Sequence, residues 1–391
     1  MPDSIYLDFA ASTPLDSRVK LAMEATLGLP GNPSSIHGPG RVLRSAIDRA
    51  RASVARLLGV PEEEIIFTSG ATEANTLALQ GVIRAVKKSH PDKPVSIAIS
   101  GIEHASLMEC ARLMEVDGEV SINIILADKN GIVTADAVVD AIKENTVIVA
   151  VMWANNVLGT IQPVAEIGRL VEAERARRNA GGLPIVFVCD AVQAIRTEAV
   201  HPTEVGADLL TLSAHKIYGP KGVGALRIAG SAPFLPPVGG GGQEGGRRHG
   251  TENAAGIAGF GVAADILLVE REAERTRTAN LKQNFIDKLR KQIPSVRLVP
   301  ETSEIFASLL PGIVFIRLPK ISGDEAVLRL DVAGFAVSAG SACDTGARRS
   351  PRVLAQVLDE QAALRGGIRV SFGRSTTDEN LEMLTEELVK I

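Results

Sequence analysis

The stretch EIIFTSGATEANTLALQGVIRAVKK, residues 64–88, decides the fold. Ile65, Ile66 and Phe67 form a short β-branched and aromatic run that predicts a strand, while from Ala71 onward the apolar residues recur at helical spacing. Thr68-Ser69-Gly70 between them supplies turn and capping residues, so the chain passes directly from strand to helix. Upstream, RVLRSAIDRARASVARLLG (41–59) reads as an amphipathic helix. Downstream, VSIAIS (95–100), VSINIIL (120–126), TVIVAVMW (146–153), PIVFVCD (184–190) and DLLTLS (208–213) are further strand candidates, and helical segments around 104–115, 134–143 and 163–179 lie between most of them. This alternation predicts an α/β protein with a mainly parallel sheet, whose very apolar strands are covered on both faces.

Beyond residue 255 the texture changes. A long helical stretch over 255–293 leads to separated strand candidates, GIVFIRL (312–318) and GIRVSF (367–372), the pattern of a smaller α+β unit. No Pro/Ser-rich tract separates the halves, so the boundary is expected within the long helix: a large domain over 15–255 and a small one over 256–391 joined by 1–14.

Composition limits the function. In 391 residues, 45% hydrophobic and 23% charged, Lys+Arg 42 against Asp+Glu 46 leaves a net charge of −4, which recruits neither nucleic acid nor an anionic membrane surface. Only 3% of residues are aromatic, too few for a base-stacking platform. The opening MPDSIYLDFAASTP lacks the basic and apolar tracts of a signal peptide, and no apolar run is long enough to span a bilayer, so a cytoplasmic location is expected. Cys110, Cys189 and Cys343 make neither a disulfide framework nor a metal knuckle, and the six histidines lack zinc-site spacing, so no metal is expected.

Four clusters sit where strands give way to loops or helices, the edge on which open α/β sheets bind ligands. Thr68-Ser69-Gly70-Ala71-Thr72 offers hydroxyls and helix N-terminal amides to a phosphate, or acts simply as an N-cap. Ser213-Ala214-His215-Lys216 places a lysine after a buried strand, where it can form a Schiff base with an aldehyde cofactor or remain an ordinary solvated lysine. Asp190 ends an apolar strand and calls for a cationic partner such as the pyridinium nitrogen of pyridoxal phosphate, with Gln193 in reach of the ring oxygen. Cys343 lies in SAGSACDTGARRSP, an exposed loop pattern in which Arg348 and Arg349 favour a thiolate and Asp344 opposes it. Cys189 reads as buried and inert, Cys110 as core-facing. The glycine-rich run 239–253 is compatible with an anion cradle.

The order and wording of these segments resemble one family, the cysteine desulfurases of the class V aminotransferase group. The resemblance runs through YLDFAASTPLD, GNPSSIHGPGR, TSGATEAN, EHASL, ANNVLGTIQP, CDAVQA, SAHKIYGPKGVGAL, GGGGQEGGRRHGTEN, SAGSAC and IRVSFGR, nearly end to end. It implies a fold type I pyridoxal-phosphate enzyme with a seven-stranded sheet in its large domain. It implies Lys216 as the Schiff-base lysine, Asp190 at the ring nitrogen and His104 stacked on the ring. Gln193 and Asn155 match residues around the ring hydroxyl and substrate, and Ala71, Thr72, Ser213 and His215 match the phosphate cup. Thr251 matches a phosphate ligand lent across a homodimer interface. Arg369, Asn32 and Asn155 match residues around the substrate, Arg369 as the carboxylate binder. Cys343 matches the nucleophile that takes sulfur from L-cysteine as a persulfide and passes it to an acceptor protein, such as an iron–sulfur scaffold or a thiolation relay. Phe9, Ser12 and Asp344 depart from the family pattern, and the segment around Cys343 resembles the family's longer-loop class. Three rivals remain at this point: a β-elimination or selenocysteine enzyme on the same fold, a non-catalytic sulfur carrier, and a nucleotide-binding module.

Overall fold

The computed structural model describes residues 4–178, 181–301, 308–339 and 352–391. The first half reads β1 (Ile5–Tyr6), α1 (Ser17–Leu27), α2 (Gly38–Leu58), β2 (Ile65–Thr68), α3 (Ala71–Ser89), β3 (Ser96–Ser100), α4 (Ala105–Val116), β4 (Ser121–Ile125), α5 (Ala135–Ala141), β5 (Thr146–Ala150) and α6 (Val164–Arg177). It continues through β6 (Val186–Asp190), β7 (Leu209–Ser213), β8 (Gly224–Ile228) and the long α7 (Ala254–Gln292). The rest comprises β9 (Arg297–Leu298), β10 (Ile313–Arg317), α8 (Gly323–Val332), β11 (Phe335–Ala336), α9 (Arg352–Val357), α10 (Glu360–Arg365), β12 (Ile368–Ser371) and α11 (Asp378–Lys390).

Seven strands form one sheet in the order β2-β8-β7-β6-β5-β3-β4. β8 runs antiparallel to both of its neighbours, and the other pairings are parallel. Alternation of side chains sets the two faces: Phe187 and Cys189 enter one core, and Val186 and Val188 enter the other. Both faces are covered by helices, which is why the strands carry apolar residues almost without interruption. The mainly parallel seven-stranded sheet expected from the sequence is therefore present, with a smaller α+β part after it.

In that later part β12-β10-β9 form an antiparallel sheet, and the two-residue strands β1 and β11 pair in parallel. A third core gathers Leu7 with residues from Leu281 to Leu388. α7 belongs to two cores, through Ile257, Phe260 and Leu267 at its start and Leu281, Phe285 and Leu289 near its end. Its amphipathic face changes direction along its length because it packs on different partners at its two ends.

The topology has one consequence for chemistry. β2, β3, β5, β6 and β7 all point the same way, so the residues just past their C-terminal ends meet along one edge.

Candidate active site

A cavity of about 460 Å³ opens on that edge. Its wall includes Ala71 and Thr72 at the start of α3, His104 before α4, and Asp190 with Gln193 after β6. Ser213, His215 and Lys216 follow β7, and Arg369 enters from β12. Nine residues singled out in the sequence, separated by up to 298 positions, thus share one cavity.

Asp190 is buried, and its carboxylate accepts from the Asn75 amide (3.0 Å) and from the backbone N–H of Val192 (3.0 Å). Both donors are neutral, which leaves the negative charge available to a cation in the cavity. His104 caps α4: its Nδ1 receives the Ser106 N–H at 3.1 Å and lies 2.9 Å from the Ser106 hydroxyl. Ser106 Oγ in turn accepts from Asn75 Nδ2 at 2.8 Å. Asn75 and Ser106 escape sequence reading because they look like ordinary helix residues; their spacing from His104 and Asp190 carries no local signal.

Lys216 sits in the 3₁₀ turn Ala214–Lys216, and its ammonium donates to the carbonyls of Ala10 (2.5 Å) and Ala11 (2.9 Å). Gln193 Nε2 donates to the same Ala10 carbonyl at 2.9 Å. The N-terminal segment therefore closes one side of the cavity. Ser213 Oγ is buried without a hydrogen-bond partner and lines the cavity together with the first turn of α3. The leading amides of a helix have no acceptor of their own, so this corner is built for an anion. Gly70 has φ 154°, and a Cβ on Gly224 would lie 2.6 Å from the Gly70 backbone, so only glycine at both positions lets β8 and the start of α3 meet here. Burial, together with the charges of Lys216 and Lys221, pushes the His215 imidazole down to about 4, so the ring is neutral at physiological pH.

Arg369 is almost fully buried. Its guanidinium donates to Asp8 Oδ1 at 2.6 Å and to the Asn156 carbonyl at 2.8 Å, while Nε is buried with no partner. A guanidinium N–H without an acceptor beside the cavity is an unmet donor of the kind that carboxylates satisfy.

Three expected residues lie elsewhere. The Asn155 side chain is buried in its own loop, donating to the Ile102 carbonyl and accepting from the amides of Val157 and Leu158, and the cavity wall at that point is Asn156. Asn32 is exposed and accepts from the Ser34 amide, a local turn contact that keeps its side chain out of this chain's cavity. Thr251 is also exposed, lining with Arg248 an adjoining recess of about 80 Å³ that shares Ser69 and Gly222 with the cavity. Cys343 lies outside the described residues. Cys189 is buried, and burial raises its thiol well above the ordinary range. The glycine-rich run has its own buried acid: Glu244 pairs with Arg51 at 2.7 and 2.8 Å and accepts the Phe67 amide.

Glu103 is a further residue that motif reading passes over in favour of its neighbour. Its Oε1 accepts from Ser100 Oγ and from the Met152 amide (2.6 Å), while Oε2 is buried and unpartnered. Burial, with the nearby charge of Asp190 adding to it, pushes its carboxyl up to about 8, so it is largely protonated at neutral pH. An unfolded glutamate titrates near 4.5, so between that pH and about 8 the folded state holds the extra proton and stability falls as pH rises. Glu103→Gln is permanently neutral and removes this slope. The melting temperature of the variant relative to the parent is expected to climb from about pH 5 to about pH 8. A difference that stays level across that window would show that Glu103 is ionised throughout.

The chain matches the Aminotransferase class-V family over residues 5–384. It is 37% identical over 392 residues to cysteine desulfurase IscS of Dictyoglomus turgidum, an alignment covering 100% of this chain and 95% of that one. Among solved structures it is similar to a NifS-like protein, with a TM-score of 0.88 at 29% identity over 99% of this chain and 98% of the other. It is also similar to SspA in complex with cysteine, with a TM-score of 0.79 at 28% identity over 96% and 100% of the two chains. With the sheet, the cavity and these full-length matches in agreement, the chain belongs to the aminotransferase class-V family and, within it, to the cysteine desulfurases.

Proposed function

We propose that this enzyme uses pyridoxal phosphate to remove sulfur from L-cysteine, releasing L-alanine and leaving the sulfur as a persulfide on Cys343. The observation that carries the reading is the convergence of an amine, a carboxylate, an imidazole and a guanidinium, from Lys216, Asp190, His104 and Arg369, on one cavity. The residues present fit the cofactor. The partnerless Ser213 hydroxyl and the amides at Ala71 and Thr72 suit its phosphate, the Asp190 carboxylate with only neutral donors suits a protonated ring nitrogen, and Lys216 suits its aldehyde. When bound, pyridoxal phosphate supplies a ring that withdraws the electrons left at the substrate Cα.

The remaining steps belong to side chains. Arg369, with Nε free and its other nitrogens braced by Asp8 and Asn156, binds the cysteine carboxylate and sets which bond faces the ring. Lys216 moves the Cα proton, and His104 holds a proton beside the substrate sulfur. The Cys343 thiolate then attacks that sulfur: the Cβ–S bond breaks, an S–S bond forms, and Cβ keeps the bonding pair and takes a proton to become the methyl group of alanine. A persulfide that is covalently carried on a side chain suits delivery to another protein. The acceptor fits either an iron–sulfur scaffold or a thiolation relay.

We assign a homodimer in which Thr251 approaches the partner's phosphate end, a reading supported by its exposure in the single chain. A division into 15–255 and 256–391 with 1–14 accords with the third core, which draws Leu7 together with the C-terminal strands. Among the described residues no helix is long and apolar enough to cross a membrane, and we propose a cytoplasmic location.

The test is product analysis. The purified, cofactor-loaded protein given L-cysteine under reducing conditions is expected to release alanine. Pyruvate and sulfide in equal amounts, without alanine, would reassign it to β-elimination.

A further inference from the structure

We propose that Asn75 and Ser106 are a positioning pair that fixes the proton of the His104 ring on Nε2 and ties that state to ionised Asp190. This rests on the reading of His104 and Asp190 as site residues given above.

The direction of every hydrogen bond in the chain is determined. An ionised carboxylate only accepts, so the group of Asn75 that faces Asp190 Oδ2 at 3.0 Å is the NH₂ group. The same nitrogen gives its second proton to Ser106 Oγ at 2.8 Å. Asn75 is fully buried, and its Oδ1 has no partner. The side chain thus leaves its carbonyl unmatched in order to donate twice, a costly arrangement that persists only where both acceptors require it. Ser106 Oγ, having accepted from Asn75, points its own proton at His104 Nδ1, 2.9 Å away. The Ser106 backbone N–H also aims at Nδ1, from 3.1 Å, and an amide N–H cannot turn round to accept. Nδ1 must therefore carry a lone pair, and the neutral ring carries its proton on Nε2, the nitrogen Ser106 leaves alone.

Among the described residues, the charged and titratable groups that share this cavity or flank it are Glu73 on α3, Glu103 before α4, Asp190 after β6, His215 and Lys216 after β7, Lys221 beyond them, and Arg369 on β12. The relay through Ser106 and Asn75 connects His104 to Asp190. In the proposed reaction a fixed Nε2–H acts as a donor toward the substrate sulfur, and a ring free to take a second proton at Nδ1 would lose that orientation.

The experiment is ¹⁵N NMR of histidine-labelled, cofactor-loaded enzyme, with the His104→Gln variant assigning the signal among the six histidines. In the parent, His104 is expected as the Nε2–H tautomer. Ser106→Ala removes one of the two donors to Nδ1, so the His104 titration midpoint should move up by about one pH unit. Ser106→Thr, which keeps the hydroxyl, should return it to within about 0.3 unit of the parent. Asn75→Leu should also raise the midpoint, because the Ser106 hydroxyl loses the bond that directs it. The acid limb of the kcat/KM profile for L-cysteine is expected to move upward with the ring in Ser106→Ala.

A parent signal from the Nδ1–H tautomer, or a midpoint unchanged in Ser106→Ala, overturns the proposal. A midpoint unchanged in Asn75→Leu alone overturns the link to Asp190. A ring that shifts as expected while the profile stays put overturns the positioning role. A protein that shows the expected tautomer and shifts but yields no alanine keeps the hydrogen-bond relay and overturns the proposed function instead.

Discussion

Lys216→Ala is expected to lower alanine release from L-cysteine by at least about 10⁴-fold, the largest effect of any single substitution in the cavity. Two losses coincide at one atom. Nζ is the amine that suits the cofactor aldehyde, and in the proposed reaction it is also the base that moves the Cα proton. Its position is set by the carbonyls of Ala10 and Ala11, on a segment more than 200 residues away in sequence, so no neighbouring amine is held in the same place. Lys221 lines the same cavity but is itself exposed, beyond the buried Gly219 and Pro220, and cannot replace it. The substitution leaves the side chains of the sheet cores untouched, and the variant should keep the parent's far-ultraviolet circular dichroism. The measurement is alanine per enzyme over a single turnover and then at steady state. A variant that retains more than about 1% of parental turnover would remove Lys216 from the proposed mechanism.

Cys343→Ala is expected to lower alanine release on the order of 10³-fold, with a phosphine as the only reductant, while cofactor binding is unchanged. The reason lies in the bond that has to break. Cleaving Cβ–S with the electrons retained by carbon needs a nucleophile for the departing sulfur, and water attacks sulfur(−II) poorly, whereas a thiolate forms an S–S bond directly. In the proposed reading the cofactor is held by Asp190, Ser213, His215 and Lys216, which share one cavity and which the substitution does not alter. Mass spectrometry of the parent after one turnover should show the intact chain heavier by one sulfur atom, and the variant should show no addition. Equal alanine from both proteins would leave the cofactor assignment in place and remove the nucleophile.

Much of the architecture is legible because it is written locally. The apolar runs ending at Thr68, Ser100, Ala150, Asp190 and Ser213 are strands, and the helical periodicities over 41–59, 71–88 and 255–293 are helices within a few residues of their expected bounds. Two of the two-residue strands, Ile5–Tyr6 and Phe335–Ala336, are not legible: two residues carry no period, and each exists only because the other lies beside it. Lys216 and Asp190 stand out because a charged residue at the end of an apolar strand breaks the pattern around it, whereas His104 and Arg369 are legible only through the resemblance of EHASL and IRVSFGR to the family's motifs. Asn75, Ser106 and Glu103 break no such pattern, and Asn32, Asn155 and Thr251 belong to motifs whose side chains turn elsewhere in the single chain.

What the sequence by itself determined is the succession of strands and helices, the aliphatic two-faced sheet and the order of the motifs, because each depends on residues within a turn or two of one another. Only the tertiary structure decided the strand order, the pairing of Arg369 with Asp8 across 361 positions, the neutral buried carboxyl of Glu103 and the one-way chain from Asp190 through Asn75 and Ser106 to His104. The physical reason is that hydrogen-bond direction and desolvation are properties of what surrounds an atom in space, and in this fold those surroundings are assembled from segments far apart in the chain.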